Sequence, residues 1–235
     1  MPSQIKNLKK DLRASVIPGK KEVLTSFFKA EPGGYGEGDR FLGLIVPEIK
    51  KVSKTYRDLE KSDLEALLQS PWHEERHCAL HIITLQFARA NETQKTTLYR
   101  ILKKHIAFVN NWDLVDLVGS KITGPYFWDR DRQQLYRWSR SKSLWQQRLA
   151  IISCFYFIKN KDYDDAIALC ENYLNSEEDL IHKASGWMLR EVGKRSPSLL
   201  KKFLKNYVRE MPRTMLRYAI ENMAKDERQK WLRKV

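Results

Sequence analysis

Cysteine is scarce and scattered in this chain: Cys78, Cys154 and Cys170 form no C-x-x-C pair, and three is not an even set. That excludes a disulfide framework and fits a reducing cytosol. Long apolar runs are also missing. The longest, Leu149 to Ile158, is about half of what spans a bilayer, and the N-terminus is charged throughout (Lys6, Lys9, Lys10, Asp11, Arg13), so neither a membrane helix nor a secretion signal is expected. Strand-like alternation is almost absent. Helix breakers crowd into one place, Glu31 to Gly43, where Pro32, Gly33, Gly34, Gly36 and Gly38 predict a loop between helices. No strand precedes those glycines and no phosphate-loop lysine follows them, which argues against nucleotide binding. Acid is in deficit as well: 29 Asp and Glu against 43 Lys and Arg leave a formal charge of +14. A field of that sign suits polyanions such as nucleic acid or an acidic membrane.

What is present is helical spacing, with apolar residues recurring at three and four positions, and 42% of the chain is apolar. Trp72 to Phe87, Trp145 to Ile158, Leu180 to Lys194 and Arg213 to Met223 overlay as amphipathic helices. Ala79, Ala150, Ala184 and Ala219 mark comparable places, at steps of 71, 34 and 35. The first step is nearly twice the others, so a copy is expected near Val115. A unit of about 35 residues with two helices is the signature of stacked helical pairs, each burying its apolar face on the next. The degeneracy points to HEAT-like units. The expectation is an all-α superhelix, one curved solenoid domain over residues 1–235.

Within that pattern, Asn110-Asn111-Trp112-Asp113-Leu114-Val115-Asp116 places Trp112 and Asp116 one helical turn apart, on one face. Asn111 is a natural helix cap and Asp113 suits the first turn. Asp116 lies beyond that turn and has no such explanation. A second stripe, Lys183, Trp187 and Arg190 at i, i+4 and i+7, alternates cation, aromatic and cation, as a phosphodiester surface would require.

Three patches together resemble the AlkD-type DNA glycosylases, HEAT-like repeat enzymes that remove alkylated purines from duplex DNA. They are Trp112-Asp113-Leu114-Val115-Asp116, Leu144-Trp145-Gln146-Gln147-Arg148, and Lys183-Ala184-Ser185-Gly186-Trp187-Met188-Leu189-Arg190-Glu191. The resemblance implies Asp116 as the catalytic carboxylate flanked by Trp112 and Trp187, with Arg148 gripping DNA; Lys183 and Arg190, from their stripe, are expected to hold phosphates beside it. It implies no cofactor or metal, a monomer acting on duplex DNA, and a cytoplasmic protein that is nucleoid-associated when bound. One position departs from the family. A tyrosine that lines the lesion site is matched best by Phe27, which keeps the ring and loses the hydroxyl; Phe28 is the other possible equivalent. Two further readings fit the same surface: a silent relative that binds DNA of unusual shape, and a protein-binding helical scaffold.

His73-Glu74-Glu75-Arg76-His77 matches H-E-x-x-H, the zinc-protease helix. No third histidine follows at the spacing of the longer zinc motif, and the segment overlays a repeat helix, so no metal is expected. The C-terminal cations Lys201, Lys202, Lys205, Arg209, Arg213 and Arg217 are expected to be mostly solvated, with partial DNA contact.

Overall fold

The computed structural model describes residues 4–233. Among them there is no strand; a lone β-bridge joins Arg40 to Trp72. The chain is all-α, as its spacing predicts, and divides into two compact units, one ending at Leu117 and the other beginning at Val118.

The first unit contains α1 (Gln4–Ala14), α2 (Lys20–Phe27), α3 (Val46–Thr55), α4 (Lys61–Leu68), α5 (His73–Arg89), α6 (Glu92–Lys104) and, after a 3-10 turn at Ile106–Phe108, α7 (Trp112–Val118). Helix α5 is its axis, with α1, α3, α4 and α6 packed on it. Five successive polar residues at its start, His73 to His77, are all buried. Such a run ordinarily faces water, because an unpaired buried charge costs several kcal/mol. Here partners from other segments satisfy it. Glu75, for example, accepts from Ser70 Oγ at 2.8 Å and pairs with Lys9 and Arg13 of α1 at 2.9 and 3.0 Å.

The second unit opens with a π-helical turn at Gly119–Thr123. It continues through α8 (Gly124–Phe127), α9 (Gln133–Ser139), α10 (Leu144–Lys159), α11 (Asp164–Asn172), α12 (Asp179–Arg195), α13 (Pro197–Tyr207), α14 (Arg213–Ala219) and α15 (Lys225–Leu232). Helix α10 packs on α12, and α12 on α14; α9 and α11 lie against α10, and α13 lies against α12. These three neighbours are the copies detected in the sequence, and their marker residues Ala150, Ala184 and Ala219 are buried in each. Helix α5 carries the fourth marker, Ala79. Val115, near which a further copy is expected, is buried in the short helix α7.

Glycine sets how closely the copies approach. A Cβ on Gly186 of α12 would stand 2.5 Å from the Met215 carbonyl oxygen and 2.5 Å from Tyr218 Cβ on α14. Neither atom is the far end of a flexible side chain, so the helices themselves would have to part. Gly186→Ala is expected to cost about 1–3 kcal/mol, read as a lower denaturant midpoint at unchanged slope.

Candidate functional site

Helix α7 is held at its entry by the end of α2 and the start of α5. Asn111, fully buried, accepts the Trp112 N–H at 2.9 Å through Oδ1 and donates to the Phe28 carbonyl at 3.4 Å. Asn111 thus takes the N–H of the helix's first residue, where a capping side chain ordinarily takes that of the second or third, and its other end ties the helix to the end of α2. Arg76 of α5 donates to Asn110 Oδ1 at 3.0 Å, to the Phe108 carbonyl at 3.1 Å and to the Ser70 carbonyl at 2.9 Å. Its remaining contact is Asp39 Oδ1 of the loop, at 2.5 Å.

The loop is organised from α5 as well. Glu74 turns its carboxylate onto three successive backbone N–H groups, Leu42 at 2.8 Å, Gly43 at 2.9 Å and Leu44 at 3.2 Å. A carboxylate so occupied cannot serve as the base of a zinc protease. His73, His77 and Asp113 do bring donor atoms within 4.8 Å of one another. Yet His73 Nε2 stands 2.8 Å from Asp113 Oδ2, which is hydrogen-bond spacing. Two tetrahedral ligands of zinc, each at about 2.0–2.1 Å, would stand about 3.3 Å apart. The geometry is that of an ion pair.

That pair is the electrostatic centre of the unit. Asp113 Oδ1 accepts the Leu114 N–H at 2.9 Å, while Oδ2 faces His73 and lies 3.3 Å from His77 Nδ1. On its other side, His73 Nδ1 meets Asp39 Oδ2 at 2.8 Å. Burial alone would push the His73 imidazole down; the charges and hydrogen bonds of Asp113 and Asp39 override it and hold it up at about 9. Burial also works to raise Asp113 and Asp39, but His73, with Arg76 for Asp39, keeps both carboxyls below their ordinary value. His77, by contrast, is driven down to about 3 by burial, despite the attraction of Asp113.

Above this centre sits an aromatic group. Phe28 is buried and stacks on Phe41 at 5.3 Å and on the His73 ring at 5.0 Å. Trp112, half-buried, leans on Phe28 at 5.2 Å. Phe27 is 59% exposed, with its ring edge on Trp112 at 5.7 Å and on Phe28 at 5.1 Å. The two phenylalanines are thereby told apart: Phe28 is core, and Phe27 is the ring presented outward beside Trp112. Asp116, half-buried, follows one turn later on the Trp112 face of α7.

The remaining candidates belong to the second unit. Trp187, half-buried on α12, packs on Phe155 of α10 at 5.5 Å. Lys183 pairs with Asp179 at 2.7 Å, and Arg190 pairs with Glu221. Arg148 is buried and donates to the Leu180 carbonyl at 2.6 Å, at the start of α12. The six C-terminal cations are exposed, with Lys201 on Glu227 at 3.0 Å and Arg213 donating to the Leu232 carbonyl at 2.8 Å. No described helix is long and apolar enough to cross a membrane.

Comparison with known proteins decides the family. The model of the DNA alkylation repair enzyme family matches residues 8–223. The chain belongs to that family. With membership come a repair role on alkylated DNA and DNA as substrate. A solved structure described as a predicted DNA alkylation repair enzyme from Enterococcus faecalis is similar at a TM-score of 0.71 and 19% identity, over 90% of this chain and 98% of that one. At that identity the likeness is one of fold. No curated protein matches the chain.

Sequence reading missed Asp39, the ion-pair role of His73 and the second role of Asp113. Asp39 lies in a loop without periodicity, and nothing local announces a partner 34 residues away. Arg76 offered the nearest signal, a cation shortly before its alanine marker as Arg148 stands shortly before its own.

Proposed function

We propose that this family member is a monofunctional DNA glycosylase hydrolysing the N-glycosidic bond of cationic N3- and N7-alkylpurines in duplex DNA. The supporting observation is the first unit's outward edge: an exposed Phe27 ring against Trp112, with Asp116 one turn further along a helix pinned by buried ion pairs. An alkylated purine of this kind already carries positive charge and leaves without protonation. As the bond breaks, charge moves onto the deoxyribose as an oxocarbenium ion, the transition state of glycoside hydrolysis. Asp116 would face that cation and orient the attacking water. Trp112 would offer an electron-rich face to the sugar. Phe27 would line the lesion site by stacking alone.

Lys183 and Arg190 would exchange Asp179 and Glu221 for DNA phosphates on binding. Arg148, buried and bonded to the Leu180 carbonyl, would add positive potential rather than wrap a phosphate. The reaction needs neither metal nor cofactor and is assigned to a monomer in the cytoplasm, at the nucleoid when bound. The missing hydroxyl at Phe27 favours a second reading, a relative that binds DNA without cutting it.

The test incubates methylated duplex DNA with the protein and measures free 7-methylguanine and 3-methyladenine. Release is the expected result; none would leave the silent reading. Binding is expected to weaken with a log–log salt slope near −5 if about six phosphates are neutralised. A salt-independent interaction would point to a protein partner instead.

A further inference from the structure

Both ring nitrogens of His73 face carboxylates, Asp39 at 2.8 Å on one side and Asp113 at 2.8 Å on the other. A neutral imidazole has one N–H, and would turn a lone pair toward one of those anions. Only the imidazolium satisfies both. The side chain is 2% exposed, so water cannot substitute for a missing donor. Its ring also lies under Phe28 at 5.0 Å and Phe41 at 4.8 Å, and Phe28 carries both Trp112 and Phe27. A single cation therefore joins the loop, the start of α5, the first turn of α7 and the underside of the aromatic group.

We infer that His73 is a positioning residue: as an imidazolium bridging Asp39 and Asp113, it sets the orientation of α7 and of the Trp112 and Phe27 rings that this helix and the end of α2 present. It touches no substrate. Its effect on base release rests on the glycosylase reading, whereas its effect on Trp112 does not. Such a group matters to rate because small displacements of reacting groups cost up to about a hundredfold.

The other charges near His73 do not substitute for it. From the loop comes Asp39; from α5 come Arg76, which is committed to the same Asp39, and His77, which burial keeps neutral; from α7 comes Asp113. The Lys50 charge, from α3, acts on His77 and on His81 beyond it, lowering both. The bridge is complete below the ordinary histidine value of 6.5 and is lost as pH rises through about 9.

Nitrogen-15 NMR of protein labelled at histidine and tryptophan tests this directly. At pH 7, His73 is expected to show two ring N–H groups, and on raising the pH to lose one with a midpoint near 9. The Trp112 indole N–H, assigned by Trp112→Phe, should shift with the same midpoint. It should not shift in that range in His73→Gln. Should that variant fail to fold, Asp39→Asn carries the test: removing one carboxylate must lower the His73 and Trp112 midpoints together. A His73 that is neutral at pH 7, or a Trp112 signal that ignores its titration, overturns the inference. In the base-release assay His73→Gln is expected to react about 10–100-fold more slowly under single-turnover conditions, with affinity for undamaged duplex unchanged within about twofold. If wild type releases no base, the glycosylase reading falls and the two NMR results still decide the role of His73.

Discussion

Asp116→Asn is expected to slow the release of methylated purines from duplex DNA about a thousandfold. A carboxylate about 4 Å from a developing cation favours it by about 4 kcal/mol at an effective dielectric of 20, and each 1.36 kcal/mol is worth about tenfold in rate. Asparagine matches aspartate in shape and keeps one acceptor oxygen, so the change isolates the charge. Asp116 is half-buried on α7, so a loss of release that far exceeds any loss of melting temperature is the outcome that assigns it to the reaction. DNA affinity should hold, because a cationic alkylbase is common to free and bound substrate while the sugar charge appears only in the transition state. Undiminished release by the variant would keep the enzyme and discard this residue as its carboxylate. A parallel loss of release and of stability would mean that Asp116 supports the fold instead.

The largest stability effect is expected at Glu74→Ala. Its carboxylate serves the N–H groups of Leu42, Gly43 and Leu44, the last two buried. An orphaned buried donor costs about 1–3 kcal/mol, so the variant should lose at least about 3 kcal/mol. For a chain of this size that is roughly 6–12 °C in melting temperature. Glu74→Gln, which retains one acceptor oxygen, should fall between. Glu74 also holds the segment from which Phe41 packs on Phe28 and His73, so the aromatic group should loosen with it. If Glu74 were instead the base of a metal-dependent hydrolase, its loss would remove activity and leave melting intact. Thermal unfolding followed by circular dichroism separates the two.

Residues 73–77 show where sequence reasoning succeeds and where it stops. The repeat overlay placed this segment on a core helix and argued against the zinc motif, and α5 does pack at the centre of its unit. No local pattern says that Glu74 faces a loop 30 residues upstream, or that His73 lies between Asp39 and Asp113. Those pairings depend on chain segments 30 to 40 residues apart meeting in space. Phe27 and Phe28 make the same point on a smaller scale. Adjacent in sequence and alike in chemistry, they were interchangeable candidates until packing buried one against Phe41 and left the other open.

The sequence alone determined the all-α class, the 35-residue repeat with its alanine markers, the helical turn shared by Trp112 and Asp116, and the basic charge that suits DNA. These are periodic or additive properties, and a periodic signal survives without knowledge of neighbours. Tertiary structure decided which polar residues are buried, which phenylalanine is exposed, and that Asp113 is an ion-pair partner as well as a helix-start acid. The physical reason is that burying a charge is tolerable only beside its counter-charge, and the counter-charges here come from segments that sequence spacing does not connect.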